Sequence, residues 1–252
     1  MKDRYFSVEV TPTIAASKQH SAAFSTGDVL FDWVEFEIPK GTSRLIGATM
    51  ITRPKGNNTP TGNKFGSFLI FSKTNTVSYG VPNAAPTTTP SNDYLGFAEI
   101  AEEDNFTQGA GTAIGMAGRG SNNDSMSTNL LLTGSQTGSN VGYDKLYVAA
   151  QALGAFDFTS VVAIAEDTTA EHANSQVITT DGTVDESKIF AVGDVLHIGT
   201  SAGTPAADSL IGTVAAVADN LVTLEAVSPT ALVDGDILYN IHPIRVILHF
   251  EK

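Results

Sequence analysis

A phrase used twice limits what this chain can become. It reads Val192-Gly193-Asp194-Val195-Leu196-His197-Ile198-Gly199, then Val233-Asp234-Gly235-Asp236-Ile237-Leu238-Tyr239-Asn240. Between the copies, Asp219-Asn220 separates two apolar runs, Leu210 to Ala218 and Leu221 to Leu224. Gly-Asp supplies the backbone freedom and local hydrogen bonding of a tight turn, and the Val, Ile, Leu and Tyr that follow suit a strand. Short strands at this spacing predict a small barrel. No stretch of a dozen residues keeps a 3.6-residue apolar period, so the whole chain reads as nearly all β.

Upstream, the same alternation recurs in longer strands. Arg4 to Val10, Val29 to Ile38, Leu45 to Ile51, Phe65 to Phe71 and Asp144 to Ala152 read as strands, and Ala155 to Ile164 as a continuation. Residues 11–27 read as a loop. Residues 74–95, with Pro82, Pro86 and Pro90, and the Gly/Ser/Asn-rich 107–140 read as long irregular excursions. Residues 166–176 suit a short helix or a linker. Ile244 to Phe250 alternates again. Coming after a self-contained barrel, it predicts a strand that returns to the first domain. The expectation is an all-β protein: a jelly-roll-like β-sandwich of residues 1–165 and 243–252, with an SH3- or OB-like barrel of residues 166–242 inserted before the last strand.

The chain of 252 residues is long enough to bury a sizeable core, and 42% hydrophobic content makes it globular. Its net charge is −13, unevenly placed. Residues 1–159 carry 11 basic and 14 acidic groups, a net −3; residues 160–252 carry 3 and 13, a net −10. The second part repels nucleic acid and anionic membrane. The absence of cysteine excludes disulfides and thiolate metal sites. No apolar run follows the charges of Met1-Lys2-Asp3-Arg4, so no signal peptide is expected there, and no stretch is apolar enough for a spanning helix.

Tests for chemistry come back weak. Gly199-Thr200-Ser201-Ala202-Gly203 matches a nucleophile elbow, but Thr204-Pro205 follows and no helix or α/β alternation supports it; it reads as a Gly-rich turn. Gly109-Ala110-Gly111-Thr112-Ala113-Ile114-Gly115 has the wrong spacing for a dinucleotide loop and reads as a loop. His20, His172, His197, His242 and His249 fall at no metal-ligand spacing. Glu102-Glu103-Asp104 and Asn122-Asn123-Asp124 lack the calcium-loop pattern. No catalytic residue, cofactor or metal site is expected. The densest basic set, Lys40, Arg44, Arg53, Lys55 and Lys64, reads as a solvated edge or a contact for an acidic protein partner.

Phe36-Glu37-Ile38-Pro39-Lys40-Gly41-Thr42-Ser43-Arg44-Leu45 resembles a strand-turn-strand opening in structural proteins of tailed bacteriophages. So does Leu146-Tyr147-Val148-Ala149-Ala150-Gln151-Ala152 followed by Phe156-Asp157-Phe158. The Val-Gly-Asp-Val and Asp-Gly-Asp-Ile-Leu-Tyr phrases are similar to small barrels of phage head and tail proteins. The nearest likeness is to capsid decoration, or cement, proteins. That resemblance implies a non-enzymatic virion protein on the capsid exterior, made in the host cytoplasm, without a cofactor. Its partners would be the major capsid protein and two further copies in a trimer, with no nucleic acid or membrane partner. On this reading the less acidic domain faces the capsid and the acidic barrel projects outward.

A second reading is a carbohydrate- or surface-binding β module, tail- or fibre-associated. Such a module needs an aromatic platform, for which the single tryptophan, Trp33, is the prime candidate. A buried Trp33 favours a structural role; a solvent-facing Trp33 beside acidic residues favours sugar binding.

Overall fold

The computed structural model describes residues 5–20, 22–57, 63–108, 111–118, 129–135, 144–165, 175–182, 184–199 and 208–252. In chain order its strands are β1 (Tyr5–Val10), β2 (Val29–Glu37), β3 (Ser43–Thr52), β4 (Ser67–Ser72), β5 (Tyr94–Ile100), β6 (Asn105–Gln108), β7 (Thr112–Gly118), β8 (Leu130–Leu132), β9 (Lys145–Ala152), β10 (Val177–Thr179), β11 (Val195–Gly199), β12 (Ser209–Ala218), β13 (Leu221–Leu224), β14 (Ile237–Asn240) and β15 (Ile244–Glu251). One short helix, α1 (Ala16–His20), interrupts them. The protein is all-β, as the periodicity predicts.

Two antiparallel sheets make a sandwich. The larger runs β1-β15-β3-β7-β6, with β8 continuing β7's side of β3; the smaller runs β2-β9-β4-β5. Alternation puts Leu45, Met50, Val246, Leu248 and Phe250 inward from one sheet, and Phe36, Leu69, Phe71, Leu146 and Val148 inward from the other. Phe36 stacks on Phe250 across the sheets, with ring centroids 6.1 Å apart. β15, last of these strands in the chain, lies between β1 and β3: Tyr5 pairs with Glu251, and Val246 with both Val10 and Met50.

A third sheet, β10-β13-β12-β11-β14, surrounds a separate core that includes Leu196, Ile211, Val222 and Leu238. Residues 162–165 close it. Leu238 N–H donates to Val162 O (2.9 Å) and Ile164 N–H to Asp236 O (2.8 Å) on one side; Ala165 N–H donates to Thr179 O (3.0 Å) on the other. Val162 and Ile164 are buried in the barrel core, so the barrel's apolar wall begins at residue 162.

The strand that periodicity predicts over Ala155 to Ile164 is irregular, with isolated bridges at Ser160, Ala163 and Ile164. Conversely, β7 and β8 fall inside the 107–140 stretch predicted as an irregular excursion, β6 runs into its start, and α1 lies inside the predicted 11–27 loop. β7 is built of small residues because space demands it. A Cβ on Gly115 would strike Asn105 Oδ1 and lie 2.6 Å from Ile100 Cγ2, and one on Gly118 would lie 2.5 Å from Ile46 O. The predicted helix or linker at 166–176 lies almost wholly outside the described residues.

Candidate interaction surfaces

Sandwich and barrel meet at a dense junction. Ile14 N–H donates to Ile241 O (2.8 Å), and Gln19 Nε2 to both Ile14 O (2.6 Å) and Asn240 O (2.9 Å). Arg53 Nη2 reaches Asp194 Oδ1 at 2.6 Å. The cavity among Gln19, Arg53, Phe158, Phe190 and Tyr239 is about 20 Å3, near the size of one water. Burial raises the Asp194 carboxyl, although Arg53 and the Ala191 N–H pull it down. Burial also holds His242 and His197 below the usual imidazole range.

This junction changes the meaning of the basic set. β3 spans ten residues, roughly 30 Å at ~3.3 Å per residue, and separates Lys40 and Arg44 at one end from Arg53 and Lys55 beyond the other. The five residues do not form one patch. Arg53 serves the junction. Lys55 Nζ lies 2.6 Å from Asp157 Oδ2. Burial alone would raise the Asp157 carboxyl, but Lys55 and the Thr159 hydroxyl and N–H outweigh it and leave it lowered. Arg44 pairs with Glu251 at 3.6 Å on the surface. Lys40 and Lys64 are exposed and have no ion-pair partner among the described residues.

Trp33 is half-buried. Its indole N–H donates to Val77 O (2.8 Å), and its ring packs against Tyr79 and Tyr94 at 5.4 and 5.9 Å. It lines a groove of about 550 Å3 together with Thr11, Thr13, Asp32 and Glu35. Both carboxylates are engaged. Asp32 accepts from Tyr79 N–H and the Ser78 hydroxyl, each at 2.7 Å. Glu35 accepts from Lys145 Nζ (2.8 Å) and the Tyr147 hydroxyl (3.0 Å), and the Lys145 bond lowers its carboxyl.

The outer faces of both sandwich sheets carry apolar rows that sequence reading missed. On the larger sheet, Phe106, Ile114 and Ile51 are register neighbours, and Met116, Thr49 and Ile247 form the next row. Phe106 is 64% exposed. On the smaller sheet, Phe97 (53% exposed) pairs with Ile70 and packs edge-on against Phe68 at 5.2 Å. The missed signal lies in Asn105-Phe106-Thr107, an alternation hidden by the glycines that follow.

Chemistry-bearing motifs find little support. Gly115 sits within β7, against Asn105, and Glu102-Glu103-Asp104 forms a 3-10 turn with no buried residue. Residues 200–203, 122–124 and 172 lie outside the described residues. His249 sits on the larger sheet, its Nδ1 3.0 Å from the Ser7 hydroxyl and its Nε2 3.1 Å from the Thr49 hydroxyl. Among the described residues no three of His, Asp and Glu gather as a metal site, and no helix is long and apolar enough to cross a membrane. No protein-family model matches the chain, and no curated protein matches it.

Proposed function

We propose that this protein is a non-enzymatic structural component of a virion, decorating and stabilising a phage capsid as an oligomer, a trimer on this reading, on the major capsid protein lattice. The observation that carries the proposal is the row Phe106–Ile114–Ile51 on the outer face of the larger sheet. Large apolar side chains grouped on an exposed face gain free energy when another surface covers them. The strand distribution supports the reading. The chain alternates between the two sheets through β1, β2, β3 and β4, stays in the smaller sheet for β5, and returns through β7, β9 and β15, as an eight-stranded jelly roll does. The exposed Lys40 and Lys64 remain candidate contacts; Arg53 and Lys55 act inside the molecule.

The test is density-gradient fractionation of a lysate from the producing source, with mass spectrometry of each fraction. Co-sedimentation with particles at stoichiometric copy number supports decoration. Recovery only as a free species overturns it.

A further inference from the structure

β2 is the outermost strand of its sheet. β9 covers one edge; the other is partnered, among the described backbone pairs, at Val29, which exchanges hydrogen bonds with Ala84 O (2.8 Å) and Asn83 N–H (2.9 Å). Side chains of Asp32 and Trp33 hold residues 77–79 alongside, and from Val34 to Glu37 no backbone pair joins this edge among the described residues. Ile38 N–H donates to Asp144 O (2.8 Å), and the register pairs Phe36 with Leu146 and Val34 with Val148. Backbone groups alternate sides along an antiparallel strand, so those of Val34, Phe36 and Ile38 face β9. Those of Glu35 and Glu37 face outward.

A second wall stands opposite. After β1, burial alternates along the chain, with Pro12 and Ile14 buried, while Thr11, Thr13 and Ala15 line the groove. Consecutive β2 residues from Phe31 to Glu35 line its other side. The volume, about 550 Å3, falls in the ~300–1,000 Å3 range of ligand clefts. An unpaired strand edge inside a walled groove suits an added strand.

Charge selects the occupant. Asp32 and Glu35 in the groove and Glu37 beyond it stand against two ammonium groups, Lys145, 2.8 and 3.8 Å from the two glutamates, and Lys18 in the groove lining, which leaves one negative charge in excess. Two-fold pairing of β2 with β2 of a second copy would set these glutamates against one another, which is unfavourable. We propose that the groove between β2 and residues 11–15 receives an extended segment of a partner protein. That segment carries lysine or arginine on alternate residues and pairs with the open edge of β2 as a fifth strand. The proposal goes beyond the virion reading and does not depend on it.

The test is fluorescence-polarisation titration of the full chain with three labelled seven-residue peptides. One alternates lysine and valine; one replaces lysine by glutamate; one carries a central proline in the lysine-valine sequence. The lysine-valine peptide should bind at least tenfold more tightly than either of the others. Hydrogen exchange should show new protection of the Glu35 and Glu37 amides when it binds. Glu37→Gln, at an exposed position, should weaken binding about threefold with little change in the melting temperature. Equal binding of the lysine and proline peptides reduces the effect to attraction between a basic peptide and an acidic protein, and overturns the proposal. So does binding without protection at Glu35 and Glu37, or no binding at all. A glycan that perturbs Trp33 fluorescence while the peptides leave it unchanged assigns the groove to carbohydrate instead.

Discussion

Arg53, just past the end of β3, places its guanidinium 2.6 Å from the carboxylate of Asp194, at the turn that leads into β11 of the barrel. The Asp194 side chain is 9% exposed and that of Arg53 30%. The pair is thus desolvated mainly on the barrel side. Removing one member strands the other, and the buried carboxylate suffers more.

Arg53→Met should therefore lower stability by about 2 kcal/mol, read as a drop in melting temperature. Adding Asp194→Asn should restore part of the loss, because a neutral amide costs less to bury than an unpaired carboxylate. A double variant less stable than Arg53→Met would show that the carboxylate does more than answer the arginine.

The Asp194 turn is one of three of the same build, and the repetition is testable. In Ser25-Thr26-Gly27-Asp28, Ala191-Val192-Gly193-Asp194 and Val233-Asp234-Gly235-Asp236, the aspartate N–H donates to the carbonyl three residues back, at 3.0, 3.1 and 3.0 Å. Its Oδ2 accepts that residue's N–H at 2.7, 2.8 and 3.0 Å. The glycines have φ of +95, +90 and +79°. Asp28→Ala and Asp236→Ala should each cost about 1 kcal/mol, and Asp194→Ala about 2–3 kcal/mol because it also strands Arg53. Urea midpoints of the three variants check the order. Equal losses would mean that the Arg53 pair adds nothing.

That third turn shows how much of the molecule is legible in the sequence. Gly27-Asp28-Val29-Leu30 repeats Gly193-Asp194-Val195-Leu196 letter for letter, so the signal for β2's start was present. The longer sandwich strands, β1, β2 and β15 among them, were readable because each sets one face to the core. β7 was not, since close packing replaces its side chains with glycine and alanine. The groove was hidden because Thr11, Thr13 and Ala15 have loop-like composition and gain their meaning only opposite β2. The basic set misled because nearness along the chain ignores the length of β3.

Glu186 is fully buried; Thr180 Oγ1 donates to its Oε1 at 2.5 Å, while Oε2 has no partner among the described residues. Burial raises its carboxyl above 4.5. The folded state then holds the proton more tightly than the unfolded state. Its contribution is complete below pH 4.5 and is lost as pH rises through the folded value. Glu186→Gln should gain stability relative to the parent between pH 4.5 and 7.5. Urea denaturation at those two values measures it; an unchanged difference would sink the assignment.

His197 and His242 slope the other way. Burial lowers both below 6.5, so the unfolded chain binds protons first as pH falls. The stability they contribute is complete above pH 6.5 and is lost as pH falls through their folded values. Replacing both with glutamine should flatten the melting-temperature profile between pH 6.5 and 5. A profile as steep as the parent's would place the proton uptake elsewhere.

The position of β15 also imposes an order on birth. The ribosome delivers β1 before the other described strands, but among them its one partner in the sheet is β15, and Tyr5 must wait for Glu251. At ~5–20 residues per second, that interval is on the order of ten to fifty seconds. The barrel's strands all emerge earlier and can close while the larger sheet still lacks its middle. A nascent chain cut short before residue 244 would carry a finished barrel on an unfinished sandwich, its apolar interior open to chaperones and proteases. Only chains translated through β15 can complete the sandwich, so the fold itself screens out truncated copies.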